Sequence, residues 1–162
     1  MPARSSRTVS LSTPAREALL DALRDVLKGK GFRKRGAVFH RTCGDVVHLV
    51  GLQSSIDSAG QIPRVTLNLA VWCKRLADPG TEASVISAAW RWRLGDVMPG
   101  RADAWWLLPG KAAAPAVAKE LAAALTAHGI PALDRVPDSA ALLALCATRP
   151  VAGRPASPDA LG

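Results

Sequence analysis

From Arg64 to Cys73 the chain alternates without a break: Val65, Leu67, Leu69 and Val71 share one parity, and Thr66, Asn68, Ala70 and Trp72 the other. Successive side chains of a β-strand point to opposite faces, so this period of two specifies a strand with one apolar and one more polar face. Such a strand is stable only inside a sheet whose apolar face is covered. The rest of the chain must therefore supply further strands and the elements that cover them.

Both kinds of element are legible. Thr13-Pro14 reads as a helix N-cap followed by proline at the first helical position. Leu19, Leu20, Leu23, Val26 and Leu27 then recur at helical spacing until Gly29 or Gly31 ends the run. A hairpin follows: Ala37 to Arg41, a Thr42-Cys43-Gly44-Asp45 turn, and Val46 to Gln53. Residues 54–63 read as a loop. After the alternating strand, Asp78-Pro79-Gly80 makes a turn and Glu82 to Ala89 a helix. Pro115 opens an Ala/Leu helix ending at His128, with Gly129 as its C′ residue and Ile130 as the accompanying apolar contact. Asp138 caps a last short helix through Leu142, Leu143 and Leu145.

The pattern predicts an α+β fold: an antiparallel sheet of about three to five strands packed on one side by N-terminal and C-terminal helices. A chain of 162 residues suits one domain, placed at 13–148. The Ser/Arg-rich residues 1–12 are expected to form a flexible basic arm, and the Pro-, Gly- and Ala-rich residues 149–162 a disordered tail.

Three widely spaced cysteines, Cys43, Cys73 and Cys146, make no disulfide framework and read as reduced thiols. Apolar runs are broken by charges before a membrane-spanning length, and no apolar leader follows the basic N-terminus, so the expected location is the cytoplasm. Charge is concentrated at one end. Residues 1–41 hold ten Lys or Arg against Glu17, Asp21 and Asp25, and so carry +7 of the net +8. An anionic partner is expected to meet that quarter first.

The order of motifs resembles a bacterial domain family of unknown function, number 4304. Gly31-Phe32-Arg33-Lys34-Arg35-Gly36 with Phe39 and Arg41 is similar to its opening, and Gln53-Ser54-Ser55 to a Gln-x-Ser strand end. Thr66, Asn68, Leu69 and Val71 match a T-x-N-L-x-V strand. Trp90, Arg91, Arg93, Leu94 and Gly95 match a W-R-x-R-L-G element, and Asp103, Trp105 and Trp106 a D-x-W-W element. The likeness runs from about residue 15 to 135, through Gly129-Ile130-Pro131. The chain departs from the pattern at Ala88-Ala89, where a His or other polar residue is expected. The resemblance implies a fold and no chemistry.

Signatures of catalysis are missing from the sequence. No phosphate loop, nucleophile elbow or paired-carboxylate motif occurs. A zinc set could be drawn from His40, Cys43, His48 and Cys73. A turn centred between Gly44 and Asp45, however, sets Arg41 against His48 and His40 against Leu49, so the two histidines fall on opposite faces. No metal or cofactor is expected. An enzyme is the third reading, behind two kinds of binding protein.

Binding chemistry is better represented. The chain has five tryptophans, no tyrosine and two phenylalanines. If Trp90-Arg91-Trp92-Arg93 is extended, both indoles face one way and both guanidiniums the other. Trp90, Trp92, Trp105 and Trp106 then either fill the core or back a surface, while Arg91 and Arg93 either pair with Asp96 and Asp103 or meet a ligand. On the polar face of the alternating strand, Thr66 and Asn68 would converge with Gln53. The candidate binding residues are Arg33, Lys34, Arg35, Gln53, Asn68, Trp90, Arg91, Trp92 and Arg93. The favoured reading is a non-enzymatic module for a protein partner or anionic ligand, of the kind seen in immunity and antitoxin proteins. That comparison is one of class alone. Nucleic-acid binding through the basic quarter is the alternative, although no helix-turn-helix, RNP or KH signature is present.

Overall fold

A computed structural model describes residues 13–56 and 62–148. The arm expected at 1–12 and the tail expected at 149–162 lie outside the described residues. The order is α1 (Thr13–Lys28), β1 (Arg33–Arg35), β2 (Val38–Cys43), β3 (Val46–Ile56), β4 (Pro63–Cys73), β5 (Trp90–Arg93) and β6 (Trp106–Leu107). Then come α2 (Ala114–Ala124), α3 (Ile130–Asp134) and α4 (Ser139–Thr148). The strands form one antiparallel sheet in the order β1-β2-β3-β4-β5, with the two-residue β6 also pairing with β4. The fold is α+β, as the sequence predicts.

The alternating segment is β4, an interior strand of the sheet. It pairs with β3 from Val46↔Cys73 to Ile56↔Pro63. Its apolar parity, Val65, Leu67, Leu69 and Val71, is fully buried against the helices. The β2–β3 turn is centred where the sequence puts it, giving Arg41↔His48 and His40↔Leu49. Gly44 has a φ of +59°, which allows a two-residue turn, and Gly36 at +65° does the same between β1 and β2.

Helix α1 buries Ala15, Leu19, Leu20, Leu23 and Leu27. Its end is set by Gly31 at φ +90°. The Phe32 N–H donates to the Leu27 carbonyl (3.0 Å) and the Gly31 N–H to the Lys28 carbonyl (3.1 Å). These bonds form a Schellman closure, with Phe32 packed into the core as its apolar contact.

Three local expectations are corrected. The loop expected at 54–63 is shorter, because β3 runs to Ile56 and β4 begins at Pro63, and Arg33–Arg35, given no element by the sequence, form β1. The helix expected at Glu82 to Ala89 is irregular. There the Ser84 hydroxyl accepts the Ser87 N–H (3.1 Å), and the Ser87 hydroxyl donates to the Glu82 carbonyl (3.0 Å). Such local side-chain bonds compete with helical ones. Finally, the helix expected to stop at His128 runs on. Leu125–Gly129 is a π-turn that leads directly into α3. Gly129 is helical (φ −72°, ψ −50°) rather than left-handed. A Cβ there would lie 2.7 Å from Leu125 Cδ1 and 3.3–3.4 Å from methyl groups of Leu94 and Leu69, so this glycine serves helix-to-sheet approach. The wider turn also admits Pro131, which lacks an N–H and crowds a normal α-turn.

After β5, residues Leu94–Val97 form a 3-10 turn whose Gly95 is buried. A Cβ on Gly95 would collide with the backbone of Ala102 and lie 2.7 Å from the Ala104 nitrogen. That backbone cannot retreat easily, because Thr66 Oγ1 donates to the Ala104 carbonyl (2.8 Å). Gly95→Ala should therefore destabilise the fold by about 2–3 kcal/mol, the cost of an over-packed site. Urea denaturation checks this, and an unchanged midpoint would contradict the close approach.

Candidate functional site

The strand register sorts the sheet into two faces. The helix side holds Phe39, Val50, Leu67, Leu69, Trp90 and Trp92 in one core. The opposite face is organised in transverse rows. One row reads Arg33–His40–Leu49–Ala70–Arg91, and the next Arg35–Val38–Gly51–Asn68–Arg93. Gln53 lies opposite Thr66, and Ser55 opposite Arg64, further along β3 and β4. Each row therefore has an arginine at both ends. Four inter-strand steps separate those ends, about 19 Å.

The middle of this face is covered. Leu49, Ala70 and Trp72 form a second small core with Val38, Val47, Ala77, Ala83, Val85 and Ala88. The segment 77–89 thus lies across the sheet as a flap. Its backbone joins β4 at its far end, where the Ala89 N–H donates to the Val71 carbonyl (3.0 Å). The covering side chains are small, and Ile86 at the crest is 86% exposed.

Several candidates meet as expected. Asn68 Nδ2 donates to Gln53 Oε1 (2.8 Å). The segment Trp90–Arg93 is extended, so Arg91 and Arg93 share the outer face with Arg33 and Arg35. Trp90 and Trp92 take the inner face, 2% and 8% exposed and packed edge-to-face at 6.0 Å, so they support the arginines from behind. Lys34 pairs with Phe39, on the other parity from Arg33 and Arg35, and does not join them.

The two arginines of β5 differ. Arg93 forms an ion pair with Asp103 (3.0 Å), and its N–H donates to Asp96 Oδ2 (2.7 Å). Arg91 is exposed and has no ion pair among the described residues; nor do Arg33, Lys34 and Arg35. Trp106 packs against the core, whereas Trp105, also half-buried, serves as a platform. The Arg64 and Arg93 guanidiniums approach its ring centre at 4.4 and 5.1 Å. Its indole N–H donates to Asp103 Oδ2 (2.9 Å). Arg64 is a member that the sequence reading missed. Its signal was parity, because it precedes Thr66 and Asn68 on the same face of β4.

The histidines serve different ends. His48 is fully buried on the helix side. Its Nδ1 accepts from Arg41 Nη2 (2.8 Å), so Nε2 carries the proton and donates to the Val136 carbonyl (2.7 Å). Arg41 also donates to Asp134 (2.8 Å) and to the Lys30 carbonyl (3.0 Å), and stacks on Phe32 at 4.6 Å. Both ring nitrogens of His48 are thus engaged in tying β3 to the segment after α3. His40 lies on the outer face between Arg33 and Leu49. Among the described residues no three His, Cys, Asp or Glu are grouped to hold a metal ion, and no helix is long and apolar enough to cross a membrane. A depression of about 180 Å³ on the helix side is lined by Trp92, Asp96, Arg101, Arg135 and Val136, with Val97, Ala132 and Leu145.

A family model described as domain of unknown function (DUF4304) matches residues 23–135, and the chain belongs to that family. The match runs from within α1 to the end of α3, and so includes the whole sheet and both arginine edges. Neither the curated proteins nor the solved structures compared with the chain gave a match.

Burial holds the His48 pKa below its usual 6.5, and Arg41 adds to this against the opposing Val136 bond. On acidification the unfolded chain therefore takes up a proton before the folded chain does. Stability is complete above about pH 6.5 and declines as the pH falls toward the depressed value. His40 has the same sign, lowered by burial and then by Arg35 and Arg33. Thermal melts from about pH 7.5 to about pH 5 should show a falling Tm. His48→Gln should flatten that slope more than His40→Gln, and a Tm independent of pH would contradict the assignment.

Proposed function

We propose that the protein is a non-enzymatic interaction module that binds an acidic protein partner across the sheet face opposite its helices. The observation that carries this reading is the register: Arg33 and Arg35 frame one edge of that face, and Arg91 and Arg93 the other. Three of these four cations have no ion pair among the described residues, and Trp90 and Trp92 make the β5 edge rigid from behind. Unpaired guanidiniums on a fixed scaffold steer and orient carboxylates, and cost little ordering entropy on binding. Separate edges about 19 Å apart suit a folded acidic surface better than one small anion. The module is assigned to the cytoplasm, where the Cys43 and Cys73 thiols would remain reduced. Immunity and antitoxin proteins are the nearest functional class, by analogy of kind.

Affinity capture from a host lysate, with and without nuclease, tests the reading. We expect one stoichiometric protein that survives nuclease and weakens as salt rises. Reversing charge in Arg33→Glu/Arg35→Glu or in Arg91→Glu should each abolish capture, a loss of at least about tenfold, with Tm unchanged. Capture that disappears with nuclease would transfer the face to nucleic acid. Capture indifferent to both reversals would remove this face from the account.

A further inference from the structure

At the corner where β4 meets β6, one cation is prepared and left unmatched. Arg64 stacks on Trp105 at 4.4 Å. Its Nε–H is buried without a hydrogen-bond partner, and the side chain forms no ion pair among the described residues. A buried donor without an acceptor costs folding free energy, and such groups are uncommon in native structures unless a ligand or water completes them. Arg93 approaches the same indole at 5.1 Å. Asp103 is the carboxylate bound there, accepting from both Arg93 and the Trp105 indole N–H. Two guanidiniums at one ring with one carboxylate leave the cluster a net positive charge.

The surroundings supply donors rather than acceptors. Ser55 lies directly opposite Arg64, with Cβ atoms about 5 Å apart. Gln53 is its diagonal neighbour on β3. The Gln53 carbonyl oxygen is occupied by the Asn68 amide (2.8 Å), which leaves its own NH2 group to donate. The loop carrying Trp105 is fixed as well, since Thr66 holds the Ala104 carbonyl (2.8 Å).

We infer that Arg64, Ser55, Gln53 and Arg93, arranged around the Trp105 platform, form a binding site for an oxyanion, a phosphate or carboxylate group. The Arg64 fork is the principal ligand. Stacking on the indole fixes its plane, so that paired N–H groups can meet paired oxygens. Ser55 and Gln53 complete the anion's hydrogen bonds from β3. The inference deepens the reading of the arginine-framed face and rests on it, because the site would be that face's point of anion recognition.

The test uses the full chain labelled with 15N, titrated with inorganic phosphate, with succinate, and with sodium chloride at matched ionic strength. The expected result is a saturable shift of the Arg64 Nε–H and Trp105 Nε1–H signals with phosphate or succinate. The stronger of the two identifies the oxyanion's source. Arg64→Gln should weaken binding at least tenfold, and Arg64→Lys nearly as much, since an ammonium lacks the fork. Lys119→Gln, an exposed cation on α2, should leave it unchanged. Signals that stay still, or that move equally with chloride, would overturn the site, as would a Lys119→Gln variant as weak as Arg64→Gln. Oxyanion binding that persists while both charge reversals spare partner capture would uphold the site and refute the partner reading alone.

Discussion

The pairing of β3 with β4 fixes everything else. It runs unbroken from Val46↔Cys73 to Ile56↔Pro63 and separates two incompatible surfaces. A slip of one residue would turn Leu67 and Leu69 outward and send Arg64 and Asn68 into the core. Burial of the apolar parity under α1 and α2 prevents that slip. Because β2 and β5 attach to this pair in fixed register, one ladder determines which arginines share a face.

The outer face follows from the same constraint. Its middle is apolar at Leu49, Ala70 and Trp72, and is closed by a flap instead of a helix. Polar groups are driven to the margins, where their charge stays hydrated and their stems lie along the sheet. The β5 margin is more elaborate than the β1 margin. Arg93, Asp103 and Trp105 are joined by hydrogen bonds, while Arg33 and Arg35 extend from an edge strand. A basic edge also discourages pairing with another sheet.

Much of this architecture could be read from periodicity. Strand β4, helix α1 and the β2–β3 register all follow from spacing and one glycine-centred turn. The rest was hidden for identifiable reasons. Strand β1 is Arg-Lys-Arg, with no apolar alternation, and is defined only by its pairing with β2. The 82–89 segment has helical composition, yet Ser84 and Ser87 capture the backbone locally. Gly129 resembles a helix stop, but its missing Cβ serves contact with Leu69 and Leu94. In the candidate site, the alternation of Trp90 to Arg93 could be read, but which side faced the helices depended on the partner strand. Arg64 was legible as a strand residue, and its role required Trp105, brought back by β6.

One tie spans more than half of the chain. Asp45, at the tip of the β2–β3 turn, accepts from the Ser139 backbone N–H (2.7 Å) and from its hydroxyl, 94 residues away. Asp138 satisfies the Ala141 N–H (2.8 Å), so α4 begins with one local and one distant cap. Helix α4 is apolar in composition, with Leu142 buried and Leu143 exposed, and it lacks the amphipathic pattern that would orient it unaided. Its placement is therefore encoded in a turn synthesised long before it. During synthesis the hairpin emerges well before α4, which can be seated on Asp45 only when the chain returns to it. Seating α4 there closes a loop of 94 residues, a long-range contact of the kind that a diffusing chain makes slowly.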